Sequence, residues 1–297
     1  MARARVLALL AALPLGACAT APRQPWVLPS EGLHERPVTD LDRIATYPQA
    51  LATTLDIMQQ DLGLPALRVQ LVFLPDTKSL RQTLLEIGYP PKLAREAARQ
   101  MVAIGGHQTV LINQARLESR GWPWRLSILA HELGHVLQYQ LGGGRRGTSA
   151  QWLREGFAEW LATRVMEALE PGEAAKAWQR AMMLVRAHAQ LRVLTLGGAR
   201  SFPEWIERPH GRARVPSLSA LGSFPEWVEH SGGDAGDILY DYAFIAVTSL
   251  IEQHGTPAVL RYFELFASRQ DPSANFLEAF GEEEEQLEKR LRQLVWP

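Results

Sequence analysis

The chain of 297 residues reads as an α+β protein, with a small N-terminal sheet packed on a pair of helices and a mainly helical C-terminal part. Three observations predict this class. Two runs rich in β-branched and aromatic residues lie in the first 120 positions, apolar residues recur at helical spacing over most of the remaining chain, and Gly and Pro punctuate the boundaries. The first element expected is a helix over 40–62, with Leu41, Ile44, Leu51, Leu55, Met58 and Leu62 in phase and Gly63 behind them. Val69 to Leu74 comes next as a strand, closed by Pro75-Asp76. Helices over 78–87 and 91–103 come after it, the second with Pro91 in its first turn. Gly105-Gly106 interrupts the pattern, and Gln108 to Asn113 is the second strand. Beyond Gly121-Trp122-Pro123 helices dominate. Leu126 to Leu141 stops at Gly142-Gly143-Gly144, and Thr148 with Gln151 has the spacing of a capping box that opens another helix. A long apolar helix ends at His254-Gly255, and Glu282 to Glu285 open a terminal helix, where acids suit the dipole.

Composition excludes several classes. A hydrophobic share of 46% is enough to bury a core, and 21% charged residues with a net charge of −1 argue against disorder and against a polyanion-binding surface. Trp and Tyr are scattered without basic residues between them, so no nucleic-acid partner is expected. The one Cys rules out a disulfide framework within the chain. It stands at the end of a targeting segment in which Arg3 and Arg5 precede an apolar stretch, Val6 to Leu15, and then Gly16-Ala17-Cys18. Leu15-Gly16-Ala17-Cys18 resembles a bacterial lipoprotein lipobox. The resemblance implies removal of residues 1–17, lipidation of Cys18, and a protein anchored in the cell envelope, facing the periplasm or the exterior. The competing reading is an ordinary secretory signal cleaved after Ala17 or Ala19. Residues 18–38, rich in Pro at their start, are expected to be a tether. The body is then 39–297, with its strands within about 39–121, a helix pair at about 124–168 and the helical remainder at 169–297.

The chemistry centres on His131-Glu132-Leu133-Gly134-His135. Residues four apart share a helix face, so both imidazoles can bind one zinc ion at about 2.0–2.1 Å. Leu129, Leu133, Val136 and Leu137 make the rest of that helix apolar. Glu132 lies about 100° around the helix from His131, beside the metal rather than on it, where a general base takes a proton from zinc-bound water. Random order would yield roughly 0.02 such patterns in a chain of this composition. A catalytic zinc site needs a third protein ligand and one open position. Gln151-Trp152-Leu153-Arg154-Glu155-Gly156-Phe157-Ala158-Glu159-Trp160 offers it, because Glu155 and Glu159 are also four apart among bulky aromatics. Glu155 can close the site, and Glu159 can accept the spare N–H of a ligand histidine.

These two segments together resemble the gluzincin metallopeptidases, the bacterial "peptidase MA-like" group in particular. The likeness is strong over about 126–160 and weaker back to the preceding strand and on to about 255. It implies a zincin active-site helix pair, one Zn²⁺ per chain held by His131, His135 and Glu155, Glu132 as general base, Glu159 behind a ligand histidine, and a peptide or protein substrate. The absence of a third His in a His-x-x-Gly-x-x-His pattern sets the metzincins aside. Family members also steady the oxyanion with a downstream Tyr or His. Tyr240, ten residues before Leu250, matches that position, with Tyr242 and then His230 as alternatives. By analogy with thermolysin-like folds, the strand at 109–113 is expected to be the edge that pairs with substrate. A second reading, a zinc-containing lipoprotein that binds or assembles without catalysis, stays open. Ser201-Phe202-Pro203-Glu204-Trp205 recurs as Ser223-Phe224-Pro225-Glu226-Trp227, and it has no chemical account.

Overall fold

A computed structural model describes residues 24–145, 147–196, 217–223, 227 and 235–295. Cys18, the targeting segment, His230 and the first copy of the repeated pentapeptide lie outside these residues. The fold is α+β. Four strands, β1 (Trp26–Pro29), β2 (Gln70–Leu74), β3 (Ala103–Gly105) and β4 (Thr109–Asn113), form one sheet in the order β1-β2-β4-β3. β2 and β4 run parallel, and the outer strands run antiparallel to their neighbours. The helices are α1 (Tyr47–Asp56), α2 (Thr77–Glu86), α3 (Pro91–Gln100), α4 (Gln114–Leu117), α5 (Trp122–Leu141), α6 (Gln151–Leu169), α7 (Glu173–Leu196), α8 (Ala235–His254), α9 (Thr256–Leu265), α10 (Pro272–Phe280) and α11 (Glu284–Val295).

Period-two alternation decides which face of the sheet meets which layer. Leu71, Phe73, Val110 and Ile112 turn into the main core with α1 and α5. Leu74 and Leu111 turn the other way, onto Leu80 and Leu84 of α2 and Ala94, Ala97 and Ala98 of α3. A parallel pair requires a long crossover, and α2, α3 and β3 fill it.

α5 rests on β3 and β4, and α6 lies between α5 and α8. Trp152, Leu153, Phe157, Ala158 and Leu161 of α6 are fully buried, so this helix is apolar around most of its circumference. Two glycines let the helices close up. A Cβ at Gly134 would stand 3.1 Å from Ala158 Cα, and one at Gly156 only 2.2 Å from the Ala243 carbonyl oxygen.

Several expectations need correction. The helix over 40–62 is broken into a 3₁₀ turn at Leu41–Arg43, then α1, then a π turn at Ile57–Asp61. Pro48 in the first turn of α1 has no N–H for a continuing helix, and Thr46 caps the new start by accepting from the Gln49 N–H. The tether expected over 18–38 contains β1. Trp26 stacks on Phe73 at 3.9 Å, and Pro29 is tolerated because the strand lies at the sheet edge. Thr148 and Gln151 form no capping box. The Thr148 hydroxyl instead donates to the Gln270 carbonyl, and α6 starts after Ala150 without a side-chain cap. The strand at 109–113 is internal, because the helix expected to run to 103 ends at Gln100 and β3, which closes on Gly105, takes the edge. Glu282 and Glu284 do more than suit a helix dipole: Glu282 pairs with His254 and Arg290, and Glu284 accepts from the Trp152 indole N–H at 3.1 Å.

Candidate metal centre

α5 and α6 supply the site. Helical spacing puts His131 and His135 on the α5 face that meets α6, their rings 4.9 Å apart and nearly perpendicular. Glu155, one turn into α6, reaches both through a single oxygen, with Oε2 3.4 Å from His131 Nε2 and 3.4 Å from His135 Nε2. One ligand atom from each of the three residues lies within 4.8 Å of the others, so the group can hold a metal ion. Between the two ligand helices, Gly134 spares a tight contact, since a Cβ there would stand 3.1 Å from Ala158 Cα.

The distal atoms are also held. His131 Nδ1 lies 3.0 Å from Glu159 Oε1. His135 Nδ1 lies 3.1 Å from Gln138 Oε1, and Gln151 Nε2 donates to Glu155 Oε1. Glu132 stands outside the ligand group. Its Oε2 accepts the Gly105 N–H, and β3 runs so close to α5 that a Cβ at Gly105 would fall 2.5 Å from the Glu132 carbonyl oxygen.

Three carboxylates around two imidazoles make a pocket that favours positive charge. Burial works against a charged His131, yet hydrogen bonding to Glu155 and Glu159 holds its pKa well above the ordinary value. Burial likewise opposes a charged Glu155, but His135 and His131 keep its carboxyl far below the usual range. Two ring nitrogens and one ionised oxygen are a donor set that fits zinc.

Tyr240, near the start of α8, comes to within 6.2 Å of His131, ring centre to ring centre. Trp227 meets Tyr240 edge-on at 5.1 Å. Burial, then the Glu155 charge, pushes the phenol well above its ordinary pKa, with Trp227 opposing. Tyr242 is buried elsewhere, its hydroxyl influenced by Glu288 and Arg292 of α11. His230 and Cys18 lie outside the described residues.

Gln138, Gln151, Gly105 and Trp227 are neighbours of the site that the motifs did not single out. Gln138 is three residues after His135 and Gln151 four before Glu155, both on the same helix face as the ligand, and that spacing was available to find them. Nothing local marks Gly105 or Trp227, which arrive through tertiary packing.

Comparison of the chain with protein-family models, with curated proteins and with solved structures finds no match.

Proposed function

We propose that this protein is a membrane-anchored zinc metallopeptidase of the bacterial cell envelope that hydrolyses peptide bonds in a peptide or protein substrate. The observation that carries the reading is the meeting of one Glu155 oxygen with the Nε2 atoms of His131 and His135, with Glu132 adjacent but outside the ligand group. Zinc bound there would supply a Lewis acid that lowers the pKa of water to about 7. Glu132, oriented by the Gly105 N–H, takes the proton from the attacking water and returns it to the leaving amine. Tyr240 donates its phenol hydrogen to the oxygen on which charge develops. Glu159 accepts from His131 Nδ1 and keeps Nε2 for the metal. β3, the edge strand beside Glu132, offers backbone groups to an extended peptide. The lipobox-like segment ending at Cys18 supplies the anchor.

Zinc analysis of the purified protein, combined with a peptide-library digest, tests the proposal. The expected result is about one zinc per chain and cleavage that Glu132→Gln reduces by roughly 10²–10⁴ while zinc stays bound. Zinc without cleavage in the wild type would identify a binding or assembly module instead. A chain that takes up no zinc would overturn the metal centre.

A further inference from the structure

We propose that Gln138 and Gln151 are positioning residues of the metal centre: Gln138 sets which nitrogen of His135 faces the ion, and Gln151 restricts Glu155 to one coordinating oxygen. The inference rests on the metal-centre reading above and adds two residues to it. Both amides are buried, Gln138 at 1% exposure and Gln151 at 3%, where an apolar side chain would fill the space without needing partners.

The orientation of the Gln138 amide is fixed by its second contact. Its Nε2 donates to the Arg154 carbonyl at 2.8 Å, and only the NH₂ end can donate to a carbonyl. Oε1 therefore faces His135 Nδ1 at 3.1 Å and must accept from it. An imidazole that donates from Nδ1 has its lone pair on Nε2, the atom turned toward Glu155 Oε2. Arg154 directly precedes Glu155, so the same amide ties the histidine helix to the glutamate helix at the ligand itself.

Gln151 acts on the other side. Its Nε2 donates to Glu155 Oε1 at 2.5 Å, while Oε2 is the oxygen that meets both histidines. The Gln151 main chain is fixed in turn, its N–H donating to the Gly222 carbonyl at 2.9 Å. With Oε1 engaged by that amide, Oε2 is the oxygen turned toward the histidines and toward an ion held between them. Bidentate binding by Glu155 would fill the position that a catalytic site keeps open.

The test uses the full chain with Gln138→Met, Gln151→Met and Gln138→Glu, loaded with zinc or cobalt(II). Chelator competition should show each Met variant binding zinc about 10–100-fold more weakly, the usual loss when a group behind a ligand is removed. In Gln151→Met the cobalt d–d band should weaken, because a second Glu155 oxygen raises the coordination number. Gln138→Glu still accepts from Nδ1 but has no donor for the Arg154 carbonyl, so its zinc affinity should fall less than that of Gln138→Met even though its buried charge lowers the melting temperature. A merely structural Gln138 would give the reverse order, with Glu worse than Met. Where a Met variant does not fold, Gln138→Asn or Gln151→Asn, one methylene short, should show the same direction of loss. Wild-type affinity and an unchanged cobalt spectrum in the variants would overturn the positioning roles alone. A wild type that binds neither metal would overturn the centre and these roles together.

Discussion

Tyr240 and Tyr242 stand two residues apart, and a helix turns them about 200° from one another. The structure puts Tyr240 against His131 and turns Tyr242 into the core beside α11. Loss of a single oxyanion donor typically costs 10²–10³ in turnover, or about 3–4 kcal/mol. Tyr240→Phe keeps the ring and its edge-on contact with Trp227, so kcat should fall by about that factor while KM and zinc content hold. Tyr242→Phe should leave turnover near wild type. Steady-state kinetics on the two variants decide the matter, and the opposite pattern would remove Tyr240 from the reaction. The sequence carried the ligand candidates because they are local: His131 with His135 and Glu155 with Glu159 each occupy one face of one helix. It did not carry the Gly105 N–H that orients Glu132, since 27 residues separate the two and only the docking of β3 on α5 joins them. Trp227 is a similar case, an aromatic in a pentapeptide repeat with no spacing relation to Tyr240.

Among the elements, helices bounded by Gly or Pro were legible, because those residues alter the backbone's own options and need no partner to do so. α2, α3, β2 and β4 fall within a few residues of where the pattern puts them. β1 and β3 were not legible, being four and three residues long and existing only because β2 and β4 offer edges to pair with. The break ahead of α1 is hidden in the sequence because apolar phase runs through it while Pro48 stops the hydrogen bonds. At the helix pair, the small residue inside each motif has a packing reason. Gly156 lets α8 approach α6 so closely that a Cβ would sit 2.2 Å from the Ala243 oxygen and 2.7 Å from Val247 Cγ2, whereas at Gly134 the nearest atom would be 3.1 Å away. Gly156→Ala must therefore move backbone on α8, at about 1–3 kcal/mol, with the melting temperature falling roughly 2–4 °C per kcal/mol. It should also lower activity, because α6 carries Glu155 and α8 carries Tyr240. Gly134→Ala should be the milder change in a thermal melt, and equal effects would show that the α6–α8 contact is looser than the geometry states.

At the scale of the whole molecule two ends of the chain matter. No helix among the described residues is long and apolar enough to cross a membrane, and the proposed anchor is Cys18. Cys18→Ser should move the protein from the membrane fraction to the soluble one, and unchanged fractionation would remove the anchor. At the other end, α11 fastens the helical half. Arg186 of α7 donates to the Leu294 and Val295 carbonyls, and Trp152 of α6 donates to Glu284. Glu282, just before α11, accepts from Arg290 and lies 3.0 Å from His254 Nε2 at the end of α8. Arg290, against the cost of burial and with help from His254, holds the Glu282 carboxyl below its ordinary value of 4.5. A carboxyl depressed on folding stabilises the native state fully where the unfolded chain is also ionised, above pH 4.5, and that contribution fades as pH falls through the lower folded value. Glu282→Gln should therefore cost about 1–3 kcal/mol at pH 7, since charge-assisted hydrogen bonds in a largely buried spot are lost. Urea unfolding at pH 7, 5 and 3.5 measures the gap between wild type and variant. The gap should be smaller at pH 3.5 than at pH 5, because acid removes from the wild type what the substitution has already removed. A gap that stays constant down to pH 3.5 would mean that Glu282 holds α11 through packing and neutral hydrogen bonds rather than through its charge.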